Sequence, residues 1–227
     1  MPRPATVSPE RILDAAALEF SERGYAGARV DRIARRAGVN KAMLYYHFGS
    51  KQSLYRALLR RIFSRAADRL QPIAASAVPA DEKVARVISA IAAFTAEHAY
   101  FPAIMLREVA DGGVHLDPDT LQALARVPMV VGGVVHQGVA DGTLRRVHPM
   151  TAYFSMLAPI VFFLAGEPIR KELAARRLAN VASLTPQLFI DELQHTIQLA
   201  FGIQTTPQPA SSRRPTHHRS PPRRTRL

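Results

Sequence analysis

Residues Val30–Lys51, VDRIARRAGVNKAMLYYHFGSK, decide the fold. The stretch reads as a short helix, a glycine turn, a second short helix and the start of a third. Ile33, Ala34 and Ala37 give the first helix an inward face, Gly38 suits a turn that needs positive φ, and Val39 plugs the corner between the helices. In the second helix Leu44 and Phe48 lie four apart and share a face turned toward a core. Advancing ~100° per residue from Leu44, Ala42 and Tyr46 point away from that core and Met43 and Tyr45 flank them. Lys41 and His47 fall at the edges. Adjacent tyrosines on a short helix cannot both be buried, although Tyr45 has the alternative of half-packing against the preceding helix. This is the outline of a helix-turn-helix reader of double-stranded DNA. Ala42, Met43 and Tyr46 would face the groove, and Lys41, Tyr45, His47 and Lys51 the phosphates.

Lys51 adds a separate argument. It follows Ser50, the expected N-cap of the next helix, so its cation sits at the positive end of a helix dipole. That placement costs roughly 0.3–1 kcal/mol unless an anion docks there, and a helix N-terminus with a lysine is suited to phosphate.

Working outward, helical periodicity runs through nearly the whole chain without strand alternation. The first helix is expected at about 9–23, with Ser8 as N-cap, Pro9 and Glu10 in the first turn, Ile12, Leu13, Ala16, Ala17 and Phe20 as its apolar face, and Gly24 as its stop. Helices at 30–37 and 40–48 form the motif, and a fourth runs from Ser50 to about Leu70, before Pro72. After a linker-like segment at 75–82, further helices are expected at about 82–99, 102–111, 118–141, 149–165, 168–180 and 186–201. Met150–Gly166 approaches the length of a membrane span, but Pro159 interrupts it and it reads as core, so no membrane partner is expected.

The net charge of +12 is unevenly spread: residues 1–65 carry +8, 66–202 carry −2 and 203–227 carry +6. The basic excess coincides with the motif, as polyanion binding requires. The Pro-, Ser- and Arg-rich stretch 203–227 has no apolar face and is expected to be disordered, either a non-specific DNA arm or a solvated extension. With no cysteine, disulfides, thiolate zinc sites and thiol switches are excluded. The start of the chain lacks a signal-peptide apolar run, so the expected compartment is the cytosol.

The residues Val30-x-x-Ile33-Ala34-x-x-Ala37-Gly38-Val39, followed by Leu44-Tyr45-Tyr46-His47-Phe48-x-x-Lys51, closely resemble the DNA-binding domain of TetR-family (AcrR-like) transcriptional regulators. The resemblance covers about residues 9–60. It implies an all-α protein in three parts: a helix-turn-helix DNA-binding domain at 1–65, a helical effector-binding and dimerisation domain at 66–202, and the tail at 203–227. It further implies a homodimer that binds a palindromic operator in the bacterial nucleoid and releases it when a small, apolar effector enters the C-terminal core. Dimerisation would use the helices at 149–165 and 186–201, whose apolar faces need a partner in their own right. One departure stands out. Where the family has Thr or Ser ahead of the second helix, this chain has Ala28 and Arg29. Asp31 is a partial electrostatic substitute for the lost cap, and Arg29 a longer-reaching phosphate contact.

Candidate effector-pocket residues are the apolar Phe94, Met105, Met129, Tyr153, Met156 and Phe162 and the polar His98, Arg107, Glu108 and His136. Glu97, His98, Glu108, Asp111 and His115 fall in one region but repeat no metal-ligand spacing, so no metal is expected. Gly132-Gly133 marks close packing or a kink. No nucleophile elbow, phosphate loop or nucleotide fingerprint appears, so neither catalysis nor a cofactor is expected. The rival reading is a DNA-bound interaction protein of the same fold with no small-molecule ligand, for which a side-chain-filled C-terminal core would speak.

Overall fold

Every helix expected from periodicity forms. The computed structural model describes residues 8–202, which build α1 (Pro9–Gly27), α2 (Val30–Ala37), α3 (Lys41–Phe48), α4 (Lys51–Ala75), α5 (Ala80–Glu97), α6 (Phe101–Ala110), α7 (Pro118–Ala140), α8 (Pro149–Ala165), α9 (Glu167–Ala175) and α10 (Pro186–Phe201). The fold is all-α, and the only β-type pairing among the described residues is a single bridge between Leu144 and Gly202. The expectations about residues 203–227 lie outside the described residues.

The helix ends follow local chemistry. Asn40, Ser50, Asp117 and Thr185 each accept a backbone N–H of the first turn of α3, α4, α7 and α10. Ser8 does not; its side chain makes no cap bond to α1. Gly24, at φ +68°, breaks α1 as expected, although one more turn follows it. Two ends differ from the sequence reading. α4 continues past Pro72 to Ala75, because Pro72 and Asp68 both face solvent, so the Asp68 carbonyl that Pro72 leaves without a donor is open to hydration. α9 stops at Ala175, five residues early, because Arg177 takes a left-handed conformation (φ 56°) and Leu178 N–H closes back on the Leu173 carbonyl. No glycine signals that stop.

Two apolar clusters form the core. The first gathers Ile12, Phe20, Ile33, Leu44, Leu58 and Ile62 from α1–α4 around the base of the motif. The second gathers Leu70, Ile88, Val131, Val135, Met156 and Ile160 from α4, α5, α7 and α8. α4 belongs to both: it runs unbroken through position 65 and carries Leu54–Phe63 into one cluster and Ala67 and Leu70 into the other. Lys83, buried on α5, fastens the far end of α4 by donating to the Ala74 carbonyl and to Gln137 Oε1, 2.8 Å each.

α7 is the one described helix that is by itself long and apolar enough to cross a membrane (mean hydropathy 1.2). It packs Val127, Val130, Val131, Val134 and Val135 into the second cluster. Gly133 is open and Gly132 is in ordinary contact with Pro149; the close approach falls instead at Gly138, where a Cβ would stand 2.9 Å from that of Ala80. α8 corrects the reading of Met150–Gly166 as core throughout. Ala152, Tyr153, Met156, Ile160 and Phe163 face inward, whereas Phe154 and Phe162, two turns apart, face solvent.

Candidate nucleic-acid interface and the core behind it

The motif divides into inner and outer faces as the helical wheel requires. Ile33, Ala34, Ala37 and Leu44 are buried, with Val39 and Phe48 half-buried against them. Gly38 closes α2 at φ 67°, ψ 34°, and α3 then presents Lys41, Ala42, Met43, Tyr45 and Tyr46 outward. Tyr46 is 83% exposed, while Met43 and Tyr45 are each only a little over one-third exposed. His47 departs from the expected rim position. It is half-buried, Nε2 is enclosed with no protein partner, and the ring lies edge-on to Tyr46 at 5.4 Å.

The absent Ser or Thr at the start of α2 is replaced from another helix. Glu19 of α1, 2% exposed, accepts the Arg29 backbone N–H at 3.1 Å and the Arg32 Nε–H at 2.7 Å through one oxygen, Oε1. A carboxylate so placed does the electrical and hydrogen-bonding work of a cap. Burial alone would raise its pKa, but the Arg29 N–H and Arg32 outweigh burial and hold it below the ordinary carboxylate value. Asp31, the expected substitute, instead pairs with Lys41 at 3.0 Å. That hydrogen bond and charge raise the Lys41 pKa.

Lys51 is also held. Its Nζ lies 4.7 Å above the Tyr25 ring and donates to the Ala26 carbonyl at 3.3 Å, which fixes the ammonium beside the N-terminus of α4. Partial burial lowers its pKa. Arg29 is exposed, next to Ala28 in the wall of the motif.

The ten candidate pocket residues do not come together. Phe94, Met105 and Tyr153 line an apolar cavity with Phe63, Phe101 and Leu157, but its volume is only about 30 Å³, room for about two waters. Burial pushes the Tyr153 hydroxyl up to about 12. Met156 is buried in the neighbouring cluster. Met129 (72% exposed) and His136 face solvent because the valines turn the opposite side of α7 inward. Phe162, 74% exposed, lies on the outer face of α8.

The polar candidates serve a junction rather than the cavity. His98 stacks on Phe94 at 4.3 Å and its Nδ1 donates to the Phe94 carbonyl. Arg107 reaches across to α1 and donates to the Phe20 carbonyl at 3.0 Å and to that of Ser21. Glu108 accepts the Tyr55 hydroxyl of α4 at 2.7 Å. The start of α6 thus lines the cavity and its end grips the helices that carry the motif.

Comparison with known proteins follows the same division of the chain. Residues 12–58 match the model for bacterial regulatory proteins of the tetR family. The HTH-type transcriptional repressor NicS of Pseudomonas putida is 26% identical over 156 residues, 68% of this chain and 74% of that protein. The negative regulator of the biofilm operon icaADBC, IcaR of Staphylococcus aureus, is 44% identical over 54 residues, which span only 24% of this chain and 29% of IcaR. Among solved structures, FadR of Bacillus subtilis in complex with stearoyl-CoA superposes with a TM-score of 0.65 at 18% identity, covering 82% of this chain and 97% of that one. The ketosteroid regulator KstR2 of Mycobacterium tuberculosis gives 0.63 at 20% identity over 86% and 95%. The family model falls on α1–α4, where the outward face of α3 is built, and the likeness of fold extends over the helices behind it. Residues 12–58 are thus those of a tetR-family DNA-binding domain, and the helices behind them share the fold of solved TetR-family regulators.

Proposed function

We propose that this protein is a repressor that binds a palindromic operator as a homodimer, one α3 in each of two major grooves, and leaves it when an apolar small molecule enters the C-terminal core. The observation that carries the reading is the outward face of α3, where Tyr46 projects into solvent between Met43 and Ala42 on the basic half of the chain. Lys41, Tyr45, Arg29 and Lys51 would hold phosphates, Lys51 being set in place by Tyr25 and Ala26. The apolar outer face of α8 and the exposed Leu188 and Leu199 of α10 suit a four-helix dimer contact. The cytosol, at the nucleoid, is where such a protein acts.

Fluorescence anisotropy with the promoter DNA beside its own gene tests the reading. Tyr46→Ala should cost about 1–3 kcal/mol of specific binding with no change in melting temperature. Lys51→Ala should weaken binding to all sequences and lower the salt slope by about one. Retained affinity in Tyr46→Ala would remove α3 from the groove.

A second reading has a specific observation in its favour. The cavity beside Phe94, Met105 and Tyr153 holds only about 30 Å³, which suits a DNA-bound protein that answers to a protein partner instead of a small molecule. The ligand-responsive reading requires Phe94, Met105 and Tyr153 to move apart. Long-chain acyl-CoA and steroid compounds, the ligand classes named for FadR and KstR2, are the first to try. Release of DNA by any of them decides for the effector, and failure of a broad apolar set decides for the partner.

A further inference from the structure

We propose that Glu108, Asp111 and His115 form a binding site for a divalent transition-metal cation, with Zn²⁺ the ion that suits the donor set. Their i, i+3, i+7 spacing would share one face of a continuous helix, but α6 stops at Ala110 and the turn after it is what assembles them. α6 ends at Ala110, Asp111 caps it, and Gly112 and Gly113 then take φ of +71° and +72°. Only glycine adopts two such residues in succession without strain. The chain doubles back, with Gly113 N–H on the Glu108 carbonyl at 2.8 Å and Leu116 N–H on the Gly113 carbonyl at 2.9 Å. His115 Nδ1 is thereby brought to 2.8 Å from Glu108 Oε1. One donor atom from each of the three residues lies within 4.8 Å of the others.

An independent observation concerns Glu108 itself. The residue is 3% exposed, and Oε1 takes both of its hydrogen-bond partners, the Tyr55 hydroxyl and His115. Oε2 is buried and has none. A buried carboxylate oxygen without a partner is costly. The neighbouring cation does not relieve it, because Arg107 is engaged with the carbonyls of Phe20 and Ser21. A metal ion on Glu108 supplies the missing charge.

The surroundings fit that role. The 2.8 Å contact between Glu108 Oε1 and His115 Nδ1 is a hydrogen bond; a cation at ~2.0–2.2 Å from the imidazole nitrogen and the carboxylate takes the place of that proton, which is released to solvent. The His115 ring is fixed by Tyr25 at 4.1 Å and Tyr55 at 5.3 Å, and the Tyr55 hydroxyl orients the ligating carboxylate from behind. Asp111 is exposed, so its carboxylate is free to swing in while water completes the shell. One imidazole with two carboxylates favours Zn²⁺ over Mg²⁺, which takes an all-oxygen set.

The test is a titration of the full chain, freed of metal with chelator, by Zn²⁺ in a calorimeter and by Co²⁺ in an absorption spectrometer. The wild type should bind one equivalent at this site, and His115→Ala and Asp111→Asn should each weaken it by about tenfold or more. Asp111 is exposed, so the asparagine variant keeps the fold even if the alanine variant loses it. Saturating Zn²⁺ should raise the melting temperature of the wild type and not that of Asp111→Asn. Binding unchanged in both variants, as metal held only by His217 and His218 of the tail would give, overturns the proposal. So does a wild type that takes up no Zn²⁺.

Discussion

Glu19 stands ten positions before the backbone N–H it serves, so the missing cap of α2 is supplied from across a helix–helix contact. Its pKa is lower in the folded chain than in the unfolded one. Its contribution to stability is therefore complete above the unfolded value and is lost as pH falls through the folded one. Glu19→Gln should cost about 1–3 kcal/mol at neutral pH and flatten the acid limb of stability against pH, measured by urea unfolding from neutral to acid pH. Asp31 acts in the other direction. It neutralises Lys41 at the edge of the reading face, so Asp31→Ala should tighten DNA binding and steepen its salt slope by about one charge. Anisotropy titrations at several salt concentrations would show it, and an unchanged slope would mean that Lys41 touches no phosphate. The outward residues of α3 were legible in the sequence because a helical wheel fixes direction from spacing alone. Glu19, the Lys41 pairing and the inward turn of His47 were not, because each depends on what another helix brings near.

The periodicity of α7 places its valines correctly, yet it cannot say which glycine another helix approaches. At Gly138 an added Cβ would lie 2.5 Å from Leu144 Cδ1 and 2.6 Å from its Cγ, so that whole side chain must move, and 2.9 Å from the Cβ of Ala80, which cannot. Gly138→Ala should destabilise by about 1–3 kcal/mol. Gly133→Ala meets nothing within 4 Å and should gain up to about 1 kcal/mol of helix propensity. Thermal or urea unfolding of the pair separates the two effects, and equal behaviour would contradict the packing. The same limit explains why Met129, His136 and Phe162, candidates by residue type, face solvent instead of the cavity. Apolar or polar type marks a candidate, whereas the side of the helix that meets α4 or α5 decides what lines a cavity.

For the molecule as a whole, α4, α5, α7 and α8 each contribute to both clusters, and α6, whose end holds Tyr55, Phe20 and Ser21, also lines the cavity that lies between them. A change in the cavity beside Phe94 and Met105 thus has a short path to α1 and α4. The proposed dimer belongs to this scale as well. Phe162→Glu alters only the outer face of α8, so it should leave the fold intact, give a monomer by sedimentation velocity and weaken operator binding. A dimer that survives the change would place the contact elsewhere. By itself the sequence determined the helices, the inner and outer faces of the motif and the motif's resemblance to a known DNA-binding domain, because spacing, turn glycines and charge act locally along the chain. Only the tertiary structure decided that Glu19 caps α2, that the cavity is small, that Glu108 faces His115 and that α8 keeps an open apolar side. Each of these rests on contacts between residues far apart in the chain, and no local pattern encodes them.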